Sequence, residues 1–363
     1  MKNVSIVLGL GYGDEGKGLT TDYLCSQAKN PIVIRFSGGQ QAGHTVMVDD
    51  KKHIHSNFGA GTLRGVPSYF SEHTTIYPTT ILREMKVLED KGITPKLTIH
   101  PLAKITTPYD VYANRNDSDN CNHGTCGLGV GKTMKRNESP FKLYAIDLLN
   151  PTIFHKKINQ IKDLYYKEHW FSGENFINDM VDFCAAIEDI EWDIQNYNYL
   201  YKFNDWIFEG SQGILLDMDH GVFPHVTYSN TTSKNVWSIL KNFDWDDYKT
   251  PKIYYITRAY STRHGNGPFI EEEINLVNNE EETNVNNKWQ KEFKIANIKY
   301  KDLIYAIDVD NIYSGRKGLK TLVVTCLDQM PEGFEFKYSK LSHKVNEILI
   351  SNSPYSNLQN LDI

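Results

Sequence analysis

The residues whose types and spacing are best suited to chemistry are Gly11-Tyr12-Gly13-Asp14-Glu15-Gly16-Lys17-Gly18. A glycine, four residues, a glycine and a lysine nearly reproduce a phosphate-cradling loop. Glycines let the backbone approach an anion, and a following helix start would aim its N–H groups at it. Lys17 adds a point charge for phosphate oxygens. The hydroxyl residue expected after the lysine, which would hold Mg2+, is Gly18, and two acids, Asp14 and Glu15, sit inside the turn. Acids belong in such a turn only if a metal ion or a substrate proton meets them. Asp14 therefore reads as a metal ligand, a general base, or both. The bland alternative is a tight turn with solvated acids.

Other stretches share this style. Ser37-Gly38-Gly39-Gln40-Gln41-Ala42-Gly43-His44-Thr45 again permits close backbone approach, and His44 is suited to meeting charge on a transferring phosphoryl group. Gly124 to Thr133 ends in Gly-Lys-Thr, but Cys126 stands where the first glycine of a triphosphate loop would fall and no strand is expected before it. A smaller anion site near Thr125, Lys135 and Arg136 fits it better. Cys121, His123 and Cys126 have the look of zinc ligands without a nearby fourth. Residues 208–232 and 257–268 gather amide, hydroxyl and acidic groups suited to a polar pocket. Lys288 to Lys294 sets three lysines among aromatics, either an amphipathic surface or a mobile basic loop for a carboxylate. Asp328, in Thr325-Cys326-Leu327-Asp328, could accept hydrogen bonds from a guanine edge.

Positioning these groups requires strands and helices in alternation. Short apolar runs at 4–8, 32–36, 96–99, 206–208, 252–256 and 322–325 are separated by helix-compatible stretches such as 19–28 and 80–91. That pattern predicts an α/β fold with a large, mostly parallel central sheet and flanking helices. Several runs end in a glycine or polar cluster, and ligands of such sheets sit beyond the carboxyl ends of strands. Residues 114–123 read as an exposed loop, 271–287 as a solvated acidic segment, and 151–205 as a helical insertion in a single domain covering 1–363. The chain has 363 residues, 40% hydrophobic, with a formal net charge of −6. The negative balance argues against a nucleic-acid surface. Five cysteines without framework spacing indicate a reducing compartment, and a cytoplasmic protein is expected. The first strand begins almost at once, so no targeting segment is expected before it, and no run approaches a membrane span.

GYGDEGKG, GGQQAGHT, FEGSQGILLDMDHGVFPHVTYSNTT, TRHGNGPF and TCLD, in this order, resemble the adenylosuccinate synthetase family over nearly the whole chain. The resemblance implies a ligase that condenses L-aspartate with a 6-oxopurine nucleotide, driven by a nucleoside triphosphate and Mg2+, usually as a homodimer. It makes Asp14 the base that removes the purine N1 proton and, with the Gly43 carbonyl, a metal ligand. It makes His44 the acid that assists phosphoryl transfer to O6. Residues Gly13, Asp14, Glu15, Gly16 and Lys17, with Gly43, His44 and Thr45, match the triphosphate loops. Asp328, Ser353 and Pro354 match the donor-base turns. Gln41, Thr125, Cys126, Gln212 and Thr227 fall at nucleotide positions, and Arg258 is a further substrate contact.

Three departures bear on substrate. Cys326 replaces the lysine before Leu-Asp, which favours ATP or dATP over GTP. The Thr-Thr-Gly-Arg aspartate loop is missing, and Lys291 and Lys294 lie where its arginines should be. Its absence also permits a deoxynucleotide. The arginine contributed across the dimer has no clear match; Lys135 or Arg136 is the candidate. Together these features resemble the family's phage branch, which uses dGMP in place of IMP. An ordinary enzyme using IMP and GTP is the alternative.

Overall fold

The computed structural model describes residues 1–117, 125–167, 173–280, 282, 292–315 and 318–361. Its centre is a ten-stranded sheet in the order Gln359–Asn360, Glu347–Ile350, Leu319–Thr325, Lys252–Arg258, Asn3–Gly9, Asp205–Gly213, Pro31–Arg35, Ser68–Phe70, Leu97–Ile99 and Asp193–Ile194. Every neighbouring pair is parallel except the last at one edge, where Gln359–Asn360 runs antiparallel to Glu347–Ile350.

Alternation along the central strands supplies two buried faces, so these strands read as continuous apolar runs. Ile6, Leu8, Ile34, Phe208, Tyr255 and Leu322 pack on one side with the helices Lys234–Leu240 and Tyr300–Ser314. Val7, Val33, Ile207, Tyr254 and Val323 pack on the other with Leu19 and Cys25 of the helix Lys17–Gln27. A further core joins the helices Pro78–Asp90, Pro108–Asn116, Pro151–Tyr166 and Glu174–Asp189 through Ile81, Leu88, Val111, Phe154, Ile161 and Phe183. Among the described residues no helix is long and apolar enough to cross a membrane.

The six expected strands all lie in the sheet, and the run at 206–208 extends to Asp205–Gly213. Its polar continuation through Glu209, Ser211 and Gln212 hid the length. Ser68–Phe70, Asp193–Ile194 and Glu347–Ile350 are too short to carry a periodic signal. Asn114 is not in a loop: it lies in the last turn of the helix Pro108–Asn116, which Thr107 and Asp110 start with a reciprocal cap. Its side chain is buried and accepts from Thr125 Oγ1 at 3.0 Å. Cys121 and His123 lie outside the described residues.

Candidate active site

Parallel strands bring their carboxyl ends to one edge, and that edge collects the polar clusters. GYGDEG follows Asn3–Gly9, SGGQQAG follows Pro31–Arg35, Gln212 lies near the end of Asp205–Gly213, Arg258 ends its strand, and TCLD follows Leu319–Thr325. The strand Asn3–Gly9 lies between Asp205–Gly213 and Lys252–Arg258, which puts its turn at the middle of the row.

The two acids of that turn have opposite fates. Glu15 folds inward. Its Oε1 accepts the N–H of Gly11 at 3.0 Å and of Gly13 at 2.8 Å, and its Oε2 lies 2.5 Å from Lys17 Nζ. A Cβ on Gly9 or Gly213 would collide with this carboxylate, so both strand ends require glycine. Asp14 takes a left-handed φ of 63°, beside Gly13 at 105° and Gly16 at 98°. Its side chain stays 21% exposed, with Oδ2 3.4 Å from His264 Nε2. Burial raises the Asp14 carboxyl above its usual range, against the opposing pull of His264, Arg258 and Lys17. Arg258 holds the backbone in place: its Nε donates to the Asp14 carbonyl at 2.5 Å, and its Nη1 to Tyr260 and Glu282. These bonds make Arg258 an anchor of the turn.

His44 starts the strand His44–Val48, and a Cβ on Gly18 would meet it, so this loop lies against the start of the helix Lys17–Gln27. Its Nδ1 is 2.7 Å from Glu209 Oε1. Burial lowers the His44 pKa despite the attraction of Glu209. Burial alone would raise Glu209, but His44 and Arg35 hold it below its usual range. A carboxylate on Nδ1 assigns the ring proton to that nitrogen and leaves Nε2 for a ligand. Glu209 was not singled out in the sequence, although a fully buried acid inside an apolar strand needs a partner. His264 was visible only as part of a polar run.

Gln41 is the clearest unpaired group: neither its Oε1 nor its Nε2 has a hydrogen-bond partner, and both are buried. Gln212 faces Gly13, 3.8 Å from where a Cβ there would stand. Gln40 donates to the Leu128 carbonyl at 2.8 Å, which ties the segment carrying Thr125 and Cys126 to the loop carrying Gln41. Thr227 lies on the half-buried loop that bonds back to the Leu216 carbonyl at 2.8 Å. On the other side, Thr325 Oγ1 donates to the Glu15 carbonyl at 2.8 Å, and Leu327 N–H reaches the Ser351 carbonyl at 3.4 Å. Asp328, Ser353 and Pro354 thus come from adjacent strand ends beside the glycine turn. Burial raises the Asp328 carboxyl.

Lys294 lies in the strand Phe293–Ala296, opposite Arg263 in a hairpin with Ser261–His264, so a mobile loop does not extend that far. Lys291 lies outside the described residues. Arg136 is buried and spent internally, on Asp110 at 2.9 and 3.0 Å and on the carbonyls of Ile105 and Phe141. That excludes it from an anion site or a cross-dimer contact, whereas Lys135 is exposed. For a metal, the partly exposed Asp14 carboxylate and the carbonyl of exposed Gly43 are oxygen groups of the kind that suit Mg2+.

The residues 6–329 match the family model described as adenylosuccinate synthetase. The chain is 33% identical over 287 residues to the adenylosuccinate synthetase of Wigglesworthia glossinidia brevipalpis, covering 74% of this chain and 65% of that protein. It is 32% identical over 283 residues to that of Ectopseudomonas mendocina, covering 74% and 64%. It therefore spans less than two thirds of these relatives' length. The fold is similar to fully ligated adenylosuccinate synthetase from Plasmodium falciparum, with a TM-score of 0.68 and 24% identity over 90% of this chain and 77% of that one. It is also similar to cyanophage S-2L succinoaminodeoxyadenylate synthetase bound to dGMP and dATP as an energy donor, with a TM-score of 0.70 and 15% identity over 99% of this chain and 95% of that one. With its strand-end clusters in this order on this sheet, the chain belongs to the adenylosuccinate synthetase family.

Proposed function

We propose that this chain is a carbon–nitrogen ligase that joins L-aspartate to the 6-position of dGMP, driven by ATP or dATP, to give 2-amino-2′-deoxy-N6-succinyl-adenylate. One observation carries the chemistry: of the two acids in the glycine turn, Glu15 is consumed by the turn and Asp14 alone is left partly open, with its proton affinity raised. A carboxylate so tuned suits removal of the purine N1 proton. The electrons freed at N1 make O6 nucleophilic, and O6 takes the γ-phosphoryl group while the nucleoside diphosphate leaves. The aspartate amine then attacks C6, loses a proton and displaces phosphate.

His44, oriented by Glu209, offers Nε2 to the charge that develops during transfer, and Lys17 offers its ammonium. Mg2+ at Asp14 and the Gly43 carbonyl would neutralise phosphate charge. Gln41, Thr125, Cys126, Gln212 and Thr227 are assigned to the acceptor nucleotide, and the free amide of Gln41 supports this. Asp328, Ser353 and Pro354 are assigned to the donor base. Lys294, with Lys291, is assigned to the aspartate carboxylates. A cytoplasmic homodimer completes the proposal.

The choice of dGMP rests on the missing aspartate loop and on the near-complete length match to the phage enzyme solved with dGMP and dATP, and Cys326 in place of lysine supports the ATP or dATP donor. The names of the curated relatives favour the second reading, IMP with GTP. A matrix of donors and acceptors with aspartate, read by product mass, decides between them. Preference for IMP would sink the dGMP assignment, and phosphoryl transfer without aspartate in the product would make the chain a kinase.

A further inference from the structure

The hairpin that carries His44 also carries a second cluster that the proposed reaction does not use. The strand Lys51–His55 pairs antiparallel with His44–Val48, setting His53 opposite Val46 and His55 opposite His44. Residues two apart on a strand share a face, and the His53 and His55 rings lie 4.6 Å apart. Glu84 arrives from the helix Pro78–Asp90. One donor atom from each of the three residues lies within 4.8 Å of the others. His53 Nε2 is 3.2 Å from Glu84 Oε1, and His55 Nδ1 is 3.8 Å from the same oxygen. All three side chains are buried, at 5%, 0% and 8% exposure.

Two features separate this cluster from a chance meeting. The Glu84 carboxylate is oriented: its Oε2 accepts from Asn57 N at 2.7 Å, Asn57 Nδ2 at 2.8 Å and Ser56 N at 3.2 Å. Ser56 N also reaches Oε1 at 3.2 Å, and this oxygen is the one the histidines approach. Such outer bonds are what fixes a metal-binding carboxylate. Second, the fully buried His55 ring has no hydrogen-bond partner at either nitrogen. An unpartnered buried polar group is costly, and a cation at Nδ1 would offset that cost. The groups facing the cluster include Lys91, whose Nζ is 3.1 Å from His53 Nδ1 and 2.7 Å from the Lys52 carbonyl. A metal at His53 Nε2 places the ring proton on Nδ1, so Lys91 must keep only its carbonyl bond.

We infer that His53, His55 and Glu84 form a site for a Zn2+-class divalent cation that clamps the hairpin carrying His44 to the helix Pro78–Asp90. Two imidazoles and one carboxylate suit Zn2+ or Co2+ and disfavour Mg2+, which prefers oxygen donors. The inference is independent of the nucleotide reaction.

The test is titration of the metal-free full chain with Co2+ and Zn2+ in excess Mg2+, followed by visible absorption and thermal melting. The expected result is one Co2+ per chain with a tetrahedral nitrogen–oxygen spectrum, displaced by Zn2+, and a melting temperature that rises with Zn2+. His53→Val should weaken Co2+ binding at least tenfold. His53→Gln, which keeps a donor toward Glu84, should do the same and guards against loss of fold in the first variant. Binding unchanged in both variants, a thiolate-type spectrum, or no binding in excess Mg2+ would overturn the inference.

Discussion

Two stretches of this chain pair glycines with lysine, and their fates differ. Gly11 to Gly18 leaves a central strand, enters an 11-residue helix and closes around the carboxylate of Glu15. Gly127 to Thr133 leads into the helix Val130–Glu138, and among the described residues the element before it is the helix Pro108–Asn116, not a sheet strand. There Lys132 pairs with Asp117 at 2.7 Å, and Thr133 Oγ1 lies 2.9 Å from Thr106 Oγ1. The glycines are alike in both, with φ of 70° and 76° at Gly127 and Gly129. What differs is the strand end. A sheet edge aims backbone N–H groups and side chains into a shared cleft, and a helix packed on another helix does not.

That contrast can be tested. The largest expected effect is at the open acid of the first turn. Asp14→Asn keeps the shape and removes the base, so turnover should fall about a thousandfold while nucleotide binding persists. Steady-state phosphate release and equilibrium dGMP binding check this, and undiminished turnover would remove Asp14 from the chemistry.

Next comes the closed acid. Glu15→Gln would turn an amide N–H toward Lys17 Nζ and leave a buried ammonium unpaired. We expect a loss of about 3 kcal/mol in unfolding free energy by denaturant titration. A stable variant would show that the turn does not depend on that pair.

Acid should act in the part of the molecule beyond the turn. Burial and Lys104 hold His73 and His100 near pKa 4, below the ordinary 6.5, with His100 adding to the shift on His73. The unfolded chain therefore binds more protons between pH 6.5 and 4, and stability falls as pH drops through that window. A fall of one pH unit should cost about 1–2 kcal/mol after solvent screening. Amide protection factors across residues 70–105, corrected for the intrinsic pH dependence of exchange, should fall on acidification, and rising protection would contradict neutral histidines there.

The smallest effect belongs to the second stretch. Lys132→Ala removes a half-buried ion pair, so stability should change by no more than about 1 kcal/mol. Turnover should stay within about twofold, as for a residue outside the reaction. A hundredfold loss would return this stretch to the site.

The α/β class and the strand-end clusters were legible in the sequence because apolar runs and glycine turns are local signals. Asp14 and His44 stood out there too, because their surroundings in sequence are glycine-rich. Glu209 was not, since its partner is 165 residues away. The commitment of Arg136 to Asp110 was likewise invisible, because an arginine after a glycine loop looks the same whether it faces solvent or a buried acid.

By itself the sequence determined which chemical groups the chain owns and which strands carry them, since periodicity and turn composition act over a few residues. Only the tertiary structure decided which groups remain available. It spent Glu15 and Arg258 on holding a turn, left Asp14 partly open and the buried Gln41 amide unpaired, and placed Glu209 behind His44. Burial and pairing depend on residues distant in the chain, and those are brought together only when the sheet forms.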